Sequence, residues 1–249
     1  MKSKRINEIE KYVKEHESAT IDELVSEFNI SINTVRRDIN ELEQRGTIEK
    51  VYGGVQAKKE NLINFTQRST SQAAEKRIIG EKAAAFIEEN DVVFIDSGTT
   101  TIGILDFLDP NIRCTVITNS LDIIEQIVSF PNITLFVVGS LFRKKTRSFV
   151  TMSAEKVVMH LNVNKAFMAA TGISIKNGVT NSSQEEYWIK KEVAETAAQV
   201  FVLVDNSKFD RAALLTYSSF DNVAYIVTDQ EPNKTYLDFF NEKDIQPIY

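Results

Sequence analysis

Five short apolar segments of this sequence are each followed at once by small polar or charged residues that could bind a ligand. The five polar groups begin at Asp96, Thr118, Gly139, Thr171 and Asp205. Hydroxyl groups, backbone N–H groups next to glycine and a lysine side chain are the groups that bind phosphate or sugar hydroxyls. Ordinary turn chemistry also explains each group taken alone, since loops favour glycine, serine and asparagine. Five such groups in succession favour a binding site.

Each member of this expected ligand site has a chemical role. Backbone N–H groups of residues 98–100 would hold a phosphate where a helix begins, and Lys208 would supply the opposite charge. Asp96 or Asn119 would accept hydrogen bonds from sugar hydroxyls. Lys208 is the sharpest prediction, and its alternative is an ordinary surface lysine. The residues expected to line the site are Asp96, Gly98, Thr99, Thr100, Asn119, Gly139, Thr171 and Lys208.

A second group of polar residues, near the N-terminus, has the chemistry that reads DNA. Arginine pairs with guanine and asparagine with adenine in the major groove, whereas threonine and lysine hold phosphates. On periodicity alone, a solvated helix face is the alternative interpretation. The expected DNA contacts are Ser31, Asn33, Thr34, Arg36, Arg37, Asn40, Lys50 and Tyr52.

The first 57 residues contain the elements that must position these DNA contacts. Residues 20–23 form a capping-box pattern that starts a second helix, and Ser31 is a favourable N-cap for a third. Two helices joined by so short a turn are typical of a helix-turn-helix, and the pair Gly53-Gly54 predicts the hairpin of a wing. Residues 1–57 are therefore expected to form a winged helix-turn-helix domain. The apolar stripe and the expected end of the third helix are Val35, Ile39, Leu42 and Gly46.

The rest of the sequence alternates apolar, β-branched segments with helical patterns. Such alternation predicts a mostly parallel sheet with helices on both faces. Ligands of these sheets bind at the carboxyl ends of the strands, where the five polar groups lie. We expect a linker at residues 58–74, which are polar and aperiodic, and an α/β effector-binding domain at residues 75–249.

Composition excludes several classes of protein. The chain has 249 residues with one cysteine and two histidines, so neither an intrachain disulfide nor a Cys/His zinc site is expected. No metal or redox cofactor is implied. No apolar run approaches the roughly 18 residues of a membrane span, so we expect no membrane partner and a cytoplasmic location. The net charge of −6 argues weakly against DNA binding, but residues 1–14 and 31–59 are each net positive.

Together these motifs resemble the DeoR family of bacterial sugar-metabolism repressors over nearly the whole chain. The most specific likeness is residues 31–39 with residues 51–55, which are similar to the family's helix-turn-helix and wing. Residues 96–100, 118–120 and 205–209 resemble its sensor-domain motifs. Phe65, Arg68, Lys76, Ile79 and Gly80 resemble its junction between the domains.

The resemblance implies operator DNA as the partner of the first domain and a phosphorylated sugar as the effector of the second, which releases the DNA. Because a helix-turn-helix half-site is short, a homo-oligomer, either a dimer or a tetramer, is expected. The chain departs from the family pattern at Ser140 and at Thr151, where glycine is common. Both departures lie by the expected pocket, so they bear on which effector binds rather than on the fold.

An enzyme is the main alternative, because the family's sensor domain resembles pentose-phosphate isomerases. Those enzymes carry paired aspartates after the fourth strand, and proton transfer between adjacent carbons needs such carboxylates. Residues 167–174 contain no carboxylate, and Glu185 or Glu186 would act without those partners. We therefore expect no enzyme and no catalytic residues, with an isomerase-like enzyme and a sugar-binding module without DNA as the alternatives.

Overall fold

A computed structural model of the chain describes residues 2–16, 18–44, 47–51, 53–57, 65–150 and 161–249. The chain divides into two compact units, Met1–Asn61 and Leu62–Tyr249. Among the expected features, Gly46, Tyr52, Thr151 and residues 58–64 of the linker lie outside the described residues.

The described part of the first unit forms three helices and a three-stranded antiparallel sheet. Its helices are α1 (Lys2–His16), α2 (Ile21–Phe28) and α3 (Ile32–Gln44). Its strands are β1 (Ser18–Thr20), β2 (Ile48–Val51) and β3 (Gly54–Ala57), in the order β1-β3-β2. The predicted capping box is present, with the Glu23 N–H donating to the Thr20 hydroxyl at 3.1 Å. The predicted stripe of α3 is confirmed, since Val35, Ile39 and Leu42 are buried.

Strand β1 was not expected from the sequence, and it explains one of the two wing glycines. Gly53 lies in the turn with φ of +80°, as a hairpin glycine should. Gly54 is instead the first residue of β3 and pairs with Val51. A Cβ atom at Gly54 would lie 2.4 Å from the Ala19 carbonyl oxygen, so the close approach of β1 requires a glycine there.

The second unit is built on a seven-stranded sheet in which every neighbouring pair is parallel. The strand order is β15-β14-β12-β9-β4-β5-β6. In chain order the strands are β4 (Val92–Ile95), β5 (Cys114–Thr118), β6 (Ile133–Val137), β9 (Lys165–Ala169), β12 (Gln199–Leu203), β14 (Tyr225–Val227) and β15 (Gln246–Ile248).

Smaller elements surround this sheet. The hairpin of β7 (Leu141–Arg143) and β8 (Ser148–Val150) and the antiparallel set β10 (Gly172–Ser174), β11 (Gly178–Asn181) and β13 (Leu215–Ser218) were not expected. The helices in the described part of this unit are α4 (Phe65–Thr70), α5 (Ala73–Ala84), α6 (Leu121–Ile127), α7 (Gln184–Thr196) and α8 (Lys234–Glu242). The 3-10 helices are Thr101–Phe107, Asn206–Lys208 and Phe220–Asn222.

Alternating side chains of the sheet enter two separate cores, one on each face. Phe94 and Met168 belong to one core, whereas their neighbours Ile95 and Phe167 belong to the other. Both faces are therefore covered, as the continuous apolar runs predicted. The predicted fold class, an N-terminal winged helix-turn-helix domain followed in the sequence by an α/β domain with a mostly parallel sheet, is confirmed.

Two local expectations differ from the structure. The helix expected at residues 101–108 is a 3-10 helix, and α5 crosses it so closely that a Cβ atom at Gly80 would lie 2.5 Å from the Gly103 carbonyl oxygen. The polar segment expected as part of a linker contains α4 and the start of α5. Phe65 of α4 is buried, and six residues are too few to show a helical period.

Candidate DNA-binding and effector-binding sites

Apart from Tyr52, the expected DNA contacts lie at the N-terminus of α3, along α3 and on strand β2. Ser31 caps α3, with its hydroxyl 3.3 Å from the Thr34 N–H and 2.9 Å from the Thr34 hydroxyl. Thr34 is half-buried, and the exposed members of the set are Ser31, Asn33, Arg36, Arg37, Asn40 and Lys50. The contacts of these residues with DNA stay a prediction.

Two rows of side chains run along α3, because residues four apart share a helix face. Arg36 and Asn40 line a groove of about 270 Å³ between α3 and the wing, together with Lys50 of β2. Asn33 and Arg37 form the neighbouring row. Lys50 forms an ion pair with Glu43, which places its ammonium group beside α3.

A buried ion pair that the sequence interpretation missed fixes α3 to α1. Asp38 is fully buried, and Arg5 donates to its two carboxylate oxygens over 2.7 and 3.2 Å. The hydrogen bond to Asp38 raises the pKa of Arg5. A signal was present in the sequence, since Asp38 lies at the helical spacing of the apolar stripe, where an unpaired charge would be costly.

At the carboxyl end of β4, Asp96 is at the centre of a buried ionic cluster. Its Oδ2 atom accepts from the Ala169 N–H at 2.9 Å and from the ammonium group of Lys190, on α7. Lys190 also donates to the Ala169 carbonyl oxygen over 2.9 Å, and Tyr217 donates to the same oxygen over 3.0 Å. Burial, with the charge of Asp96, raises the pKa of Tyr217 well above its usual value.

Next to this cluster, Glu186 is buried among hydroxyl groups. Ser97, which follows Asp96, donates to Glu186 Oε1 over 2.9 Å, and Ser148 of β8 donates to the same oxygen over 2.8 Å. Glu186 and Lys190 are one helical turn apart on α7. The helix thus brings one carboxylate and one ammonium group to the end of the sheet.

Three cations surround the same edge of the sheet. Burial lowers the pKa of Arg68, on α4, and the charges of Glu186 and Asp96 oppose that effect. Burial also lowers the pKa of Lys76, on α5, to about 8, and the charges of Asp205 and Lys208 act on it as well. Lys208 is half-buried in the turn after β12. Arg68 and Lys76 were noted only as junction residues, because the sequence does not show that α4 and α5 return to this edge.

Unpaired acceptors at three strand ends also point to a ligand. Within the described residues, the buried side-chain oxygens without a hydrogen-bond partner are Asp96 Oδ1, Asn119 Oδ1 and Asp205 Oδ2. Each follows a parallel strand, β4, β5 or β12 respectively. A buried acceptor without a partner is costly, so a site that offers three of them suits a ligand with several hydroxyl groups.

The structure gives other reasons for some of the expected ligand residues. Gly98 packs against Ala169, where a Cβ atom would meet the alanine Cβ at 2.1 Å. Gly139 has φ of +105°, and a Cβ atom at Gly139 would lie 2.7 Å from Phe149. The Thr171 hydroxyl lies 3.3 Å from Asn181 Oδ1 and from the Ser182 hydroxyl. Thr100 is buried at the start of the 3-10 helix and Thr99 is half-buried. Packing alone accounts for both glycines.

Lys76 should make the stability of the protein depend on pH. Its pKa of about 8 in the folded chain is below the usual 10.5, so the unfolded chain binds more protons between these values. The free energy of unfolding of the wild type should therefore rise relative to that of Lys76→Met as pH increases above 8, by up to about 1.4 kcal/mol per pH unit. Denaturant titrations at several pH values measure this difference, with Lys82→Met as the control on the same helix. Parallel pH curves for wild type and Lys76→Met would contradict the prediction.

A winged helix-turn-helix and an α/β unit with a polar strand-end site define the class of DNA-binding transcriptional regulators with a sensor domain. Residues 5–61 match the DeoR-like helix-turn-helix domain, and residues 71–230 match the DeoR C terminal sensor domain. The chain belongs to the DeoR family, which confirms the resemblance found in the sequence.

Curated relatives support the same assignment. The chain is 48% identical to the HTH-type transcriptional regulator IolR of Bacillus subtilis, over 98% of each chain. It is 28% identical to the L-fucose operon activator of Haemophilus influenzae, over 95% of this chain and 96% of that one. It is 27% identical to the lactose phosphotransferase system repressor of Staphylococcus aureus, over 95% of this chain and 98% of that one. These relatives are regulators of transcription.

Among solved structures, ribose 5-phosphate isomerase A from Methanocaldococcus jannaschii is similar to part of this chain. The TM-score is 0.41 and the identity 17%, over 56% of this chain and 55% of that one. A likeness this distant carries no conclusion about activity. In the described part of the chain, no helix has the length and apolar character needed to cross a membrane.

Proposed function

We propose that this protein is a repressor of a carbohydrate-catabolism operon and that a phosphorylated sugar releases it from operator DNA. The observation that carries the proposal is the convergence of three cations and three unpaired buried oxygens on one edge of the sheet. Cations suit a phosphate group, and the oxygens suit the hydroxyl groups of a sugar. Because the family binds DNA, we take the response to the ligand to be a change in DNA binding.

The proposed site assigns the two halves of the ligand to different residues. Lys208 and Lys76 bind the phosphate, together with backbone N–H groups of residues 98–100. Asp96, Asn119 and Asp205 accept hydrogen bonds from sugar hydroxyls, with Gly139 and Thr171 at the rim. A neutral sugar would not offer Lys208 the charge-assisted bonds that a phosphate offers, so the site selects phosphorylated compounds.

Two likenesses guide the choice of compounds. The names of the fucose and lactose regulators connect those relatives to carbohydrates, one as an activator and the other as a repressor. The helix-turn-helix and wing segments also resemble the regulator of myo-inositol catabolism within the family. A thermal-shift panel should therefore contain sugar phosphates, inositol-pathway intermediates and their neutral parents. A ligand at about 100 times its Kd adds roughly 2.7 kcal/mol of stability.

Operator release is the second half of the test. The compound that stabilises the protein in the panel should weaken operator binding by about 1–3 kcal/mol, and operator should weaken its binding equally, because coupling is reciprocal. A stabilising compound that leaves operator affinity unchanged would contradict the proposed regulation. A neutral sugar that stabilises as well as its phosphate would contradict the proposed site.

Removal of the Lys208 ammonium group should abolish the response to the effector. The Lys208→Ala variant should require a far higher concentration of the sugar phosphate for operator release, because the phosphate loses one charge-assisted contact. Operator release is measured as a titration, with each variant's affinity without effector as its baseline. Lys234→Ala, which removes a surface lysine paired with Asp238, is the matched control. Release by Lys208→Ala at the wild-type effector concentration would place Lys208 outside the site.

An isomerase-like enzyme is the alternative proposal, and the buried set of Asp96, Glu186 and Lys190 is the observation in its favour. The absence of carboxylates from residues 167–174 opposes it. Turnover of ribose or glucosamine phosphates at enzyme-like rates, without a shift of promoter DNA, would support the enzyme instead. We further propose that the protein is a homo-oligomer, because one helix-turn-helix contacts only a short half-site of DNA. We also propose a cytoplasmic location, where a DNA-binding regulator acts.

A further inference from the structure

A buried lysine side chain bridges the corner between α4 and α5. The ammonium group of Lys76, which is 8% exposed, donates to the carbonyl oxygens of Arg68 and of Ser71, the latter over 2.6 Å. Between the two helices, Gln72 has φ of +53°, a conformation that costs free energy for a residue other than glycine. Lys76 therefore stabilises a strained corner.

The other end of α4 is attached to the same edge of the sheet by a different route. The Phe65 N–H donates to the Lys145 carbonyl oxygen over 3.4 Å, in the turn of the β7–β8 hairpin. Strand β8 in turn holds Asn119, whose amide donates to the Phe149 carbonyl oxygen over 3.2 Å. Helix α4 is the first described element after residue 61, where the DNA-binding unit ends. Both of its ends thus contact residues that hold the proposed ligand site.

Resting on the proposed function, we infer that Lys76 is the residue that couples occupancy of the strand-end site to α4. An anion bound beside Lys208 attracts the Lys76 ammonium group away from the Arg68 and Ser71 carbonyl oxygens. The α4–α5 corner then loses its cross-link, and α4 loosens at the end of the chain segment that leads to the DNA-binding unit.

Three properties of Lys76 suit it to this role. An ammonium group has three donors, and a charged phosphate oxygen is a stronger acceptor than a carbonyl oxygen. The charged groups that act on Lys76 are Asp205, Lys208, Arg68 and Glu75. The pKa of Lys76 is lowered, so the two carboxylates among them do not compensate for the cost of burying the ammonium group. An anion is therefore favoured beside it. The two alternative sets of acceptors give the differential contacts that any switch needs.

Hydrogen exchange of residues 65–72 tests this coupling, with inorganic phosphate as the probe. In the wild type, phosphate should raise the melting temperature and make exchange in this segment several-fold faster. In Lys76→Met, exchange should already be fast without phosphate and should not change when phosphate is added. Lys82→Met is the matched control, because Lys82 is also on α5 and also donates to a carbonyl oxygen, that of Thr228. It should behave like the wild type.

The outcomes separate this inference from the proposed function. If phosphate stabilises the wild type but leaves exchange of residues 65–72 unchanged, or if Lys76→Met still responds, the coupling role of Lys76 is overturned and the anion site stands. Slow exchange in Lys76→Met without phosphate also overturns it, because Lys76 then does not hold the corner. If phosphate does not stabilise the wild type, the proposed anion site fails, and the coupling fails with it.

Discussion

Replacement of Lys190 by methionine is expected to destabilise the sensor domain by about 3–5 kcal/mol, the cost of leaving one partner of a buried ion pair without the other. Lys190 is 3% exposed and Asp96 is 1% exposed. Without the ammonium group, Asp96 Oδ2 would keep only the Ala169 N–H as a donor, and Asp96 Oδ1 has none among the described residues. The Ala169 carbonyl oxygen would still accept from Tyr217.

A double-mutant cycle shows whether the loss of stability in Lys190→Met comes from the Asp96 carboxylate left without its partner. Asp96→Asn combined with Lys190→Met removes both charges, so the double variant should recover much of the free energy lost by Lys190→Met alone. Denaturant unfolding of all four proteins gives the coupling energy. The matched control is Lys191→Met, the next residue on α7, whose exposed i,i+4 pair with Glu195 spans 3.8 Å and contributes only about 0.2–1 kcal/mol. Equal losses for Lys190→Met and Lys191→Met would contradict a buried pair.

Sequence patterns predicted the elements of this protein that have a clear period or a strong cap. The apolar runs 92–95 and 114–117 indicated strands buried on both faces, and both lie inside the sheet rather than at its edges. Thr20 with Glu23 marked the start of α2 because both partners of the capping box are local. The strand-end rule then placed Asp96, Asn119 and Lys208 at one edge without knowledge of the strand order.

The unpredicted parts of the site depend on contacts between distant segments of the chain. Asp96 and Lys190 are 94 positions apart, and Ser97 and Glu186 are 89 apart, so no spacing rule connects them. Charged residues such as Lys190 look like the polar face of a helix until the fold buries them. Arg68 and Lys76 reach the edge because α4 and α5 fold back, and α4 is too short to show periodicity.

The role of a glycine is also hard to predict from the sequence. Gly98 was interpreted as a place where backbone approaches a ligand, and its close neighbour in the structure is the Ala169 side chain. Sequence alone indicates that a side chain has no room at such a position. It does not show whether a ligand, a strand or a methyl group occupies the space.

The second large effect is expected at the DNA interface, where replacement of Arg37 by alanine should cost about 1–3 kcal/mol of operator binding and relax specificity at one base pair. Arg37 is exposed and shares its helix face with Asn33, in the row of α3 next to the one that lines the wing groove. A side chain there can pair with guanine in the major groove. Arg36 lies in the wing groove with Lys50, so we expect it to contact a phosphate.

The two arginines should therefore differ in kind as well as in size of effect. Arg36→Ala should weaken binding to operator and to unrelated DNA alike and should reduce the salt slope of binding by about one. Arg37→Ala should weaken operator binding much more than binding to unrelated DNA. Binding titrations against operator, operators with single base changes and unrelated DNA, all at matched salt, separate these effects. Arg113→Ala, an exposed arginine of the second unit, is the control. If both variants bind operator with unchanged affinity, α3 does not dock on DNA through this face.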